Sequence, residues 1–243
     1  LCSIEIKMSG FLRYKKILDL FSEERSSWTV LEISKSLKTP SSTIYRIVRE
    51  MVTAEFLESA SGSYFRLGPA FIKFNRIINF SDPLVRAGQP FLKKLANENP
   101  ITSVNVLARL YGNNVMCVAD YKSPSFKKNT SYQRGKLMPL MYGATSRAII
   151  MHITGKRLEN LINLENFKSD EDKNMFLKDL KSDRKKGYCF TKGQVDKGLI
   201  GFAVPISNKK LGIEASLSSI FNLDDFLLVH EPIIYANLTT YGL

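Results

Sequence analysis

The spacing of apolar residues changes character several times along the chain. Phe11, Leu12, Ile17, Leu18, Leu20 and Phe21 suit an amphipathic helix over 11–21. Val30, Leu31, Ile33 and Leu37 form a second helical stripe, and Ile44, Ile47, Val48 and Met51 a third. Residues 56–67 read as strand, glycine turn, strand, with Ser61, Gly62 and Ser63 at the turn. Helical spacing returns over 70–80 through Phe71, Ile72, Phe74, Ile77 and Ile78, until Ser81, Asp82 and Pro83 break it. Residues 1–9 show no pattern and read as a frayed end.

Beyond the break, residues 84–99 suit a helix that Pro90 must kink or restart. Residues 102–108 and 115–121 flank Tyr111, Gly112, Asn113 and Asn114 as a hairpin, and the polar, basic stretch 122–135 reads as loop or edge strand. Leu137 and Met138 form a strand ended by Pro139, which feeds small residues at a helix start near Gly143, Ala144 and Thr145. Free backbone N–H groups there suit an anion, and close helix packing explains the small residues equally well. Helices follow over 158–164 and 170–186, the second closed by Gly187. Strands are expected at 188–192, 198–207 and 212–218, then a final helix over 222–241, capped by Asn222 and kinked or split by Pro232. The sum is an α+β domain whose antiparallel sheet carries helices on one side.

The chemistry concentrates between Thr29 and Arg49. Thr29 with Glu32 three residues later forms a capping box, and Trp28, at the staple position before it, reads as a core anchor. Thr39 offers a second N-cap with Pro40 at the first helical position. The helix so opened projects Ser41, Ser42, Thr43, Tyr45, Arg46 and Arg49, with no carboxylate before Glu50. Two short helices joined by a tight turn, the second rich in donors, is how a recognition helix enters the major groove. The hairpin behind it is a wing, whose Ser63 and Arg66 could reach a phosphate or the minor groove, while Arg66 could equally pin the wing.

The run 39–49 together with Tyr64, Arg66, Leu67, Gly68 and Pro69 resembles the winged helix-turn-helix domain of the IclR-type transcription regulators. Three further motifs extend the resemblance to nearly the whole chain: Gly135 with Pro139 and the glycine-alanine run before Arg147; Gly187 and Tyr188 followed by Gly198; and Ser216, Leu217, Ser218 ending a strand. The resemblance implies a DNA-binding domain over 1–68, a linker helix over 69–82 and a GAF/PAS-like effector domain over 83–243. It implies double-stranded operator DNA as partner, dimerisation through the DNA-binding domains and linker helix, possible tetramers, and no catalysis. It further implies a small organic acid or aromatic metabolite held by Ala144, Thr145, Thr191, Leu199, Gly201, Ser216 and Ser218. Three departures from the family pattern stand out: the family usually has histidine where Met141 stands, glycine-lysine where Ser146 and Arg147 stand, and an acidic residue near Gln194. A more apolar ligand or a vestigial pocket is consistent with these changes.

Composition narrows the alternatives. The formal charge of +12 favours polyanions, yet residues 1–80 carry 12 Lys and Arg against 8 Asp and Glu, so most of the excess lies in the second domain. Two histidines, His152 and His230, and three separated cysteines, Cys2, Cys117 and Cys189, point to no metal, cofactor or disulfide framework. No apolar run reaches a membrane span and no signal-peptide core precedes the first helix, so a cytoplasmic protein is expected. An enzyme using Cys117 or His152, or a winged helix serving protein or RNA contacts, are the competing readings.

Overall fold

The structure, a computed structural model, describes residues 10–165 and 167–242, so the frayed end expected at 1–9 lies outside the described residues. The chain divides into two compact units, Leu1–Ser81 and Asp82–Leu243. No helix of the described residues is long and apolar enough to cross a membrane.

The first unit contains α1 (Gly10–Leu18), β1 (Ser27–Thr29), α2 (Val30–Leu37), α3 (Ser41–Thr53), β2 (Leu57–Ser59), β3 (Tyr64–Leu67) and α4 (Ala70–Ser81). Ile17, Ile33, Ile44, Ile47, Val48, Met51 and Leu57 form its core. Phe11 and Leu12 were expected on the buried face of α1, but they are 79% and 44% exposed, and Tyr14, Ile17 and Leu18 point inward instead. The capping box is present in both directions, Thr29 Oγ1 accepting from the Glu32 amide and Glu32 accepting from the Thr29 amide. The Thr39 cap is not. Pro40 is the N-cap of α3, accepting from the amides of Thr43 and Ile44, while the Thr39 hydroxyl donates to the Leu37 carbonyl at 3.1 Å.

Strand β1 was not foreseen. It pairs antiparallel with β3, Trp28 facing Phe65, and β3 pairs with β2, giving the order β1-β3-β2. Trp28 packs against the core and its indole N–H donates to the Leu20 carbonyl at 3.0 Å, as an anchor should. Gly68 closes the wing: a Cβ there would lie 2.2 Å from the Glu55 carbonyl oxygen, so a side chain would force the wing exit away from the end of α3.

The second unit is built on β4 (Ser103–Tyr111), β5 (Asn114–Lys122), β6 (Leu137–Met138), β7 (Cys189–Lys192), β8 (Leu199–Asn208) and β9 (Ile213–Asn222). They form one antiparallel sheet in the order β6-β5-β4-β9-β8-β7. Helices cover both faces rather than one. On one side α6 (Ala144–Ile150), α7 (Gly155–Leu164) and α8 (Asp170–Lys186) bury Ala148, Ile149, Leu161 and Leu180 against Val106, Ala108 and Ala203. On the other, α5 (Pro83–Glu98) and α9 (His230–Gly242) bury Leu92, Leu95, Ile234 and Leu238 against Leu107, Phe202 and Leu217. The sheet is therefore apolar on both faces, and its central strands read as nearly continuous hydrophobic runs.

Two boundaries differ from expectation. Asn222 ends β9 and leads only into a short 3-10 turn, Leu223–Asp225, with no side-chain cap bond, because Ser219, Ile220 and Phe221 continue the pairing with β4 and β8. The last helix begins only at His230, which places Pro232 in its first turn, where the missing N–H breaks nothing. Helix α5 runs through Pro90 as one assigned element, with Asp82 capping it through the amides of Leu84 and Val85.

Candidate nucleic-acid interface and effector site

Helix α3 buries Ile44, Ile47, Val48 and Met51, so its helical period turns Ser42, Arg46, Arg49 and Thr53 to the opposite side, with Tyr45 and Glu50 on the flanks. Tyr45 is 54% exposed. The turn ahead of α3 is fixed by side chains. Lys38 takes a left-handed conformation, the Ser34 hydroxyl donates to the Thr39 carbonyl at 2.7 Å, and the Ser41 hydroxyl donates to the Ser34 oxygen at 3.0 Å. The hydroxyls of Thr39 and Ser41 thus shape the turn, while Ser42 faces solvent at the helix start.

Charges on this face are partly paired. Arg46 Nη1 lies 2.8 Å from Glu50 Oε1, and the guanidinium of Arg49 lies 5.9 Å from the Tyr45 ring centroid. On the wing, Arg66 stands directly across from Glu58 and forms an ion pair with it, so it pins the two strands together. Ser63, with φ of 65°, lies exposed at the wing tip.

In the second unit, α6 starts at a point where three strands converge. The Ala144 amide donates to Thr191 Oγ1 at 3.1 Å and the Gly143 amide to Gln194 Oε1 at 3.1 Å, so β7 and the turn after it hold the helix start. Gly143 has φ of 81°, and a Cβ on it would sit 2.7 Å from Val195 Cγ2 and 3.0 Å from the Tyr132 hydroxyl. Gly201 brings β8 close: a Cβ there would touch Ala144 Cβ at 3.4 Å and Thr191 Oγ1 at 3.6 Å. On β9, Ser216 and Ser218 face α6, and the Ser216 hydroxyl donates to the Thr145 carbonyl at 2.9 Å. The Ser218 hydroxyl is fully buried and has no partner among the described residues, and the same is true of Ser146.

Tyr132, Thr191, Gln194, Val195, Leu199 and Gly201 enclose a space of about 10 Å³, room for one water at most. Tyr132 is the plug. It is 4% exposed, and burial raises its hydroxyl above the ordinary tyrosine range. The irregular stretch that carries it is fastened by Asp196, which accepts from the Thr130 hydroxyl, the Ser131 amide and the Ser131 hydroxyl at 2.7–3.0 Å.

Residues 81–223 match the model of the bacterial transcriptional regulator IclR C-terminal family, and residues 13–61 match that of the IclR helix-turn-helix domain. The chain belongs to the IclR family of transcriptional regulators. It is 18% identical over 216 residues to the Pca regulon regulatory protein of Pseudomonas putida, covering 87% of this chain and 73% of that one. An IclR transcriptional regulator from Alicyclobacillus acidocaldarius superposes with a TM-score of 0.80 at 18% identity, over 95% of this chain and 93% of that one. An IclR homologue from Microbacterium hydrocarbonoxydans, solved with 4-hydroxybenzoate, gives 0.79 at 19% identity, over 96% and 98%. The Thermotoga maritima IclR gives 0.74 at 14%, over 96% and 95%.

Within this IclR-type fold the departures from the family pattern acquire structural meaning. Met141 is buried in the cluster beneath α6. Arg147, in the place of the usual lysine, is 4% exposed and pairs with Asp183 and with Asp179 at 3.3 Å, both on α8. Its charge is thus committed to a neighbouring helix. Tyr132 and the Asp196 fastening went unrecognised in the sequence, and Gln194 was read only as a departure from the family pattern, since these residues lie in stretches without periodicity and meet α6 only through the fold.

Proposed function

We propose that this IclR-family regulator binds operator DNA as a symmetric dimer through α3 and the wing, and that a small aromatic or carboxylate-bearing metabolite bound among α6, β7, β8 and β9 changes that binding. The observation that carries the first half is the outward stripe of α3. Ser42, Arg46 and Arg49 are exposed, carry donors, and are backed by a helix start whose first amides have no intrahelical acceptor, while the Thr53 hydroxyl donates to the Arg49 carbonyl. Helix α4 supports the dimer: Ile72, Phe74, Ile77, Ile78 and Phe80 are 44–75% exposed along an element continuous with the wing. Such an apolar stripe suits pairing with a second copy, which would present two recognition helices to two half-sites.

The unpartnered Ser218 hydroxyl and the small-residue start of α6 support the second half. A solved family neighbour holds 4-hydroxybenzoate, and we extend the aromatic-acid class to this chain. An aromatic ring far exceeds the space present, so its entry requires Tyr132 and its strap to move. The closed cavity equally favours a second reading, a sensor unit that binds nothing. Cys117 argues against catalysis, because burial pushes its thiol up to about 12 and keeps it neutral and unreactive.

Arg46→Ala should weaken binding to a selected duplex by roughly 5- to 150-fold at fixed salt while the thermal midpoint stays unchanged. Unchanged affinity in a band-shift titration would remove α3 as the reader. Titration with 4-hydroxybenzoate and related acids separates the two readings of the sensor unit. A functional coupling shifts DNA affinity roughly 5- to 150-fold, and a vestigial site shifts nothing.

A further inference from the structure

The face of α3 that carries Arg46 and Arg49 also carries one carboxylate, Glu50. A carboxylate beside a polyanion opposes binding unless it reads a base or organises a donor. Both of its oxygens already accept a hydrogen bond within the protein, which favours the second role. Oε1 accepts from Arg46 Nη1 at 2.8 Å, and Oε2 accepts from the hydroxyl of Tyr14 on α1. Tyr14 itself is anchored, since it is half-buried and packs against the core of the first unit. The Tyr14 hydroxyl, and secondarily Arg46, hold the Glu50 carboxyl below its ordinary range, so it stays ionised.

A stability role is a poor account of this chain of contacts. Arg46 and Glu50 side chains are 64% and 42% exposed, and exposed pairs one helical turn apart contribute little to folding. Holding a guanidinium in one orientation, by contrast, removes rotamer freedom that would otherwise be lost on contact with a base. It also offsets a charge that would otherwise bind any phosphate. Arg49 provides the contrast: among the described residues its guanidinium has no ion pair, and the Tyr45 ring centroid lies 5.9 Å away.

We propose that Glu50, buttressed by Tyr14, is a specificity-determining positioning residue: it aims the guanidinium of Arg46 at base edges in a duplex and withholds its charge from phosphates. The two arginines then divide the work. Arg46 discriminates between sequences, and Arg49 holds the backbone of any duplex. This rests on the reading of α3 as the DNA-reading helix.

The test uses the full chain and two probes at one salt concentration: the duplex most enriched by the wild-type chain from a random pool, and a shuffled duplex of equal composition. Glu50→Gln, which keeps shape and loses charge, should bind the shuffled duplex more tightly and lower the enriched-to-shuffled affinity ratio by roughly 5- to 10-fold. Tyr14→Phe should shift the ratio in the same direction. In an Arg46→Ala background, Glu50→Gln should add no further loss of discrimination, because the residue it acts through is gone. Arg49→Ala should weaken both probes alike. A ratio unchanged within about two-fold in both Glu50→Gln and Tyr14→Phe overturns the proposal. So does a proportional loss on both probes accompanied by a lowered thermal midpoint, which marks a structural role. If the wild-type chain enriches no duplex, the reading of α3 fails and the proposal with it; enrichment with an unmoved ratio sinks the proposal alone.

Discussion

Replacing Ser218 by Ala should make the second unit more stable, and replacing Ser216 by Ala, two residues away, should make it less so. Both serines lie on β9, face α6 and are fully buried. They differ in one respect, that the Ser216 hydroxyl donates to the Thr145 carbonyl at 2.9 Å and the Ser218 hydroxyl has no partner. A satisfied hydroxyl contributes about 1 kcal/mol net, whereas an unsatisfied buried one carries a desolvation penalty of about 1–3 kcal/mol. The Thr145 carbonyl keeps its place in the ladder of α6 when Ser216 is lost, so Ser216→Ala should cost about 1 kcal/mol. Ser218→Ala should gain about 1 kcal/mol, or roughly 2–4 °C for a unit of this size.

Calorimetry of the full chain reads the second unit, and the single tryptophan, Trp28, reports on the first. Its fluorescence midpoint should move with neither substitution. If a metabolite bonds the free hydroxyl, Ser218→Ala should also reduce the stabilisation that saturating 4-hydroxybenzoate confers, because that contact is lost. A Ser218→Ala variant destabilised as much as Ser216→Ala would show that the hydroxyl is already satisfied in the folded protein. The reading of β9 as a surface awaiting a ligand would then fail.

Two further outcomes follow from charged groups. Asp183→Ala should cost about 3–5 kcal/mol by urea unfolding, since it removes the buried partner of Arg147 and leaves only the half-exposed Asp179, while Asp179→Ala should cost far less. In the first unit, the backbone amide of Thr29, then its hydroxyl, then Arg25 lower the Glu32 carboxyl below its ordinary value. A depressed folded pKa gives stability that is full above the unfolded value near ~4.3 and is lost as pH falls through the folded value. Acid titration followed by Trp28 fluorescence should therefore show a shallower loss below about pH 4.3 in Glu32→Gln than in the wild-type chain.

The helices of the first unit were legible because they combine period with punctuation. Thr29 and Glu32 announce α2, and the stripe from Ile44 to Met51 announces α3. Where only one signal was present, the boundary slipped. Thr39 and Asn222 both have N-cap chemistry, but Pro40 supplies the cap through its carbonyl, and Asn222 is held at the end of β9 by its partner Leu199. Pairing across a sheet is a long-range contribution that local cap preference cannot outweigh. The short strand β1 shows the same limit, since three residues become a strand only because β3 lies alongside.

The candidate effector site was legible as a set of residue types and illegible as a shape. Glycine, alanine and serine at Gly143, Ala144, Gly201, Ser216 and Ser218 mark a place where backbones come close: Ala144 and Gly201 both meet Thr191, Gly143 abuts Val195 and Tyr132, and Ser216 bonds the Thr145 carbonyl. Whether such a place is open depends on which large side chain fills it, and Tyr132 arrives from a stretch with no periodicity. The fastenings that keep it there, from Asp196 to Thr130 and Ser131, are largely at the surface, where hydrogen bonds open at low free energy. The strands beneath are locked by burial on both faces. A ligand bound there as proposed would therefore displace the strap before it distorted the sheet. The buried Ser218 hydroxyl, without a partner among the described residues, is a liability that a bound ligand of the proposed class would relieve.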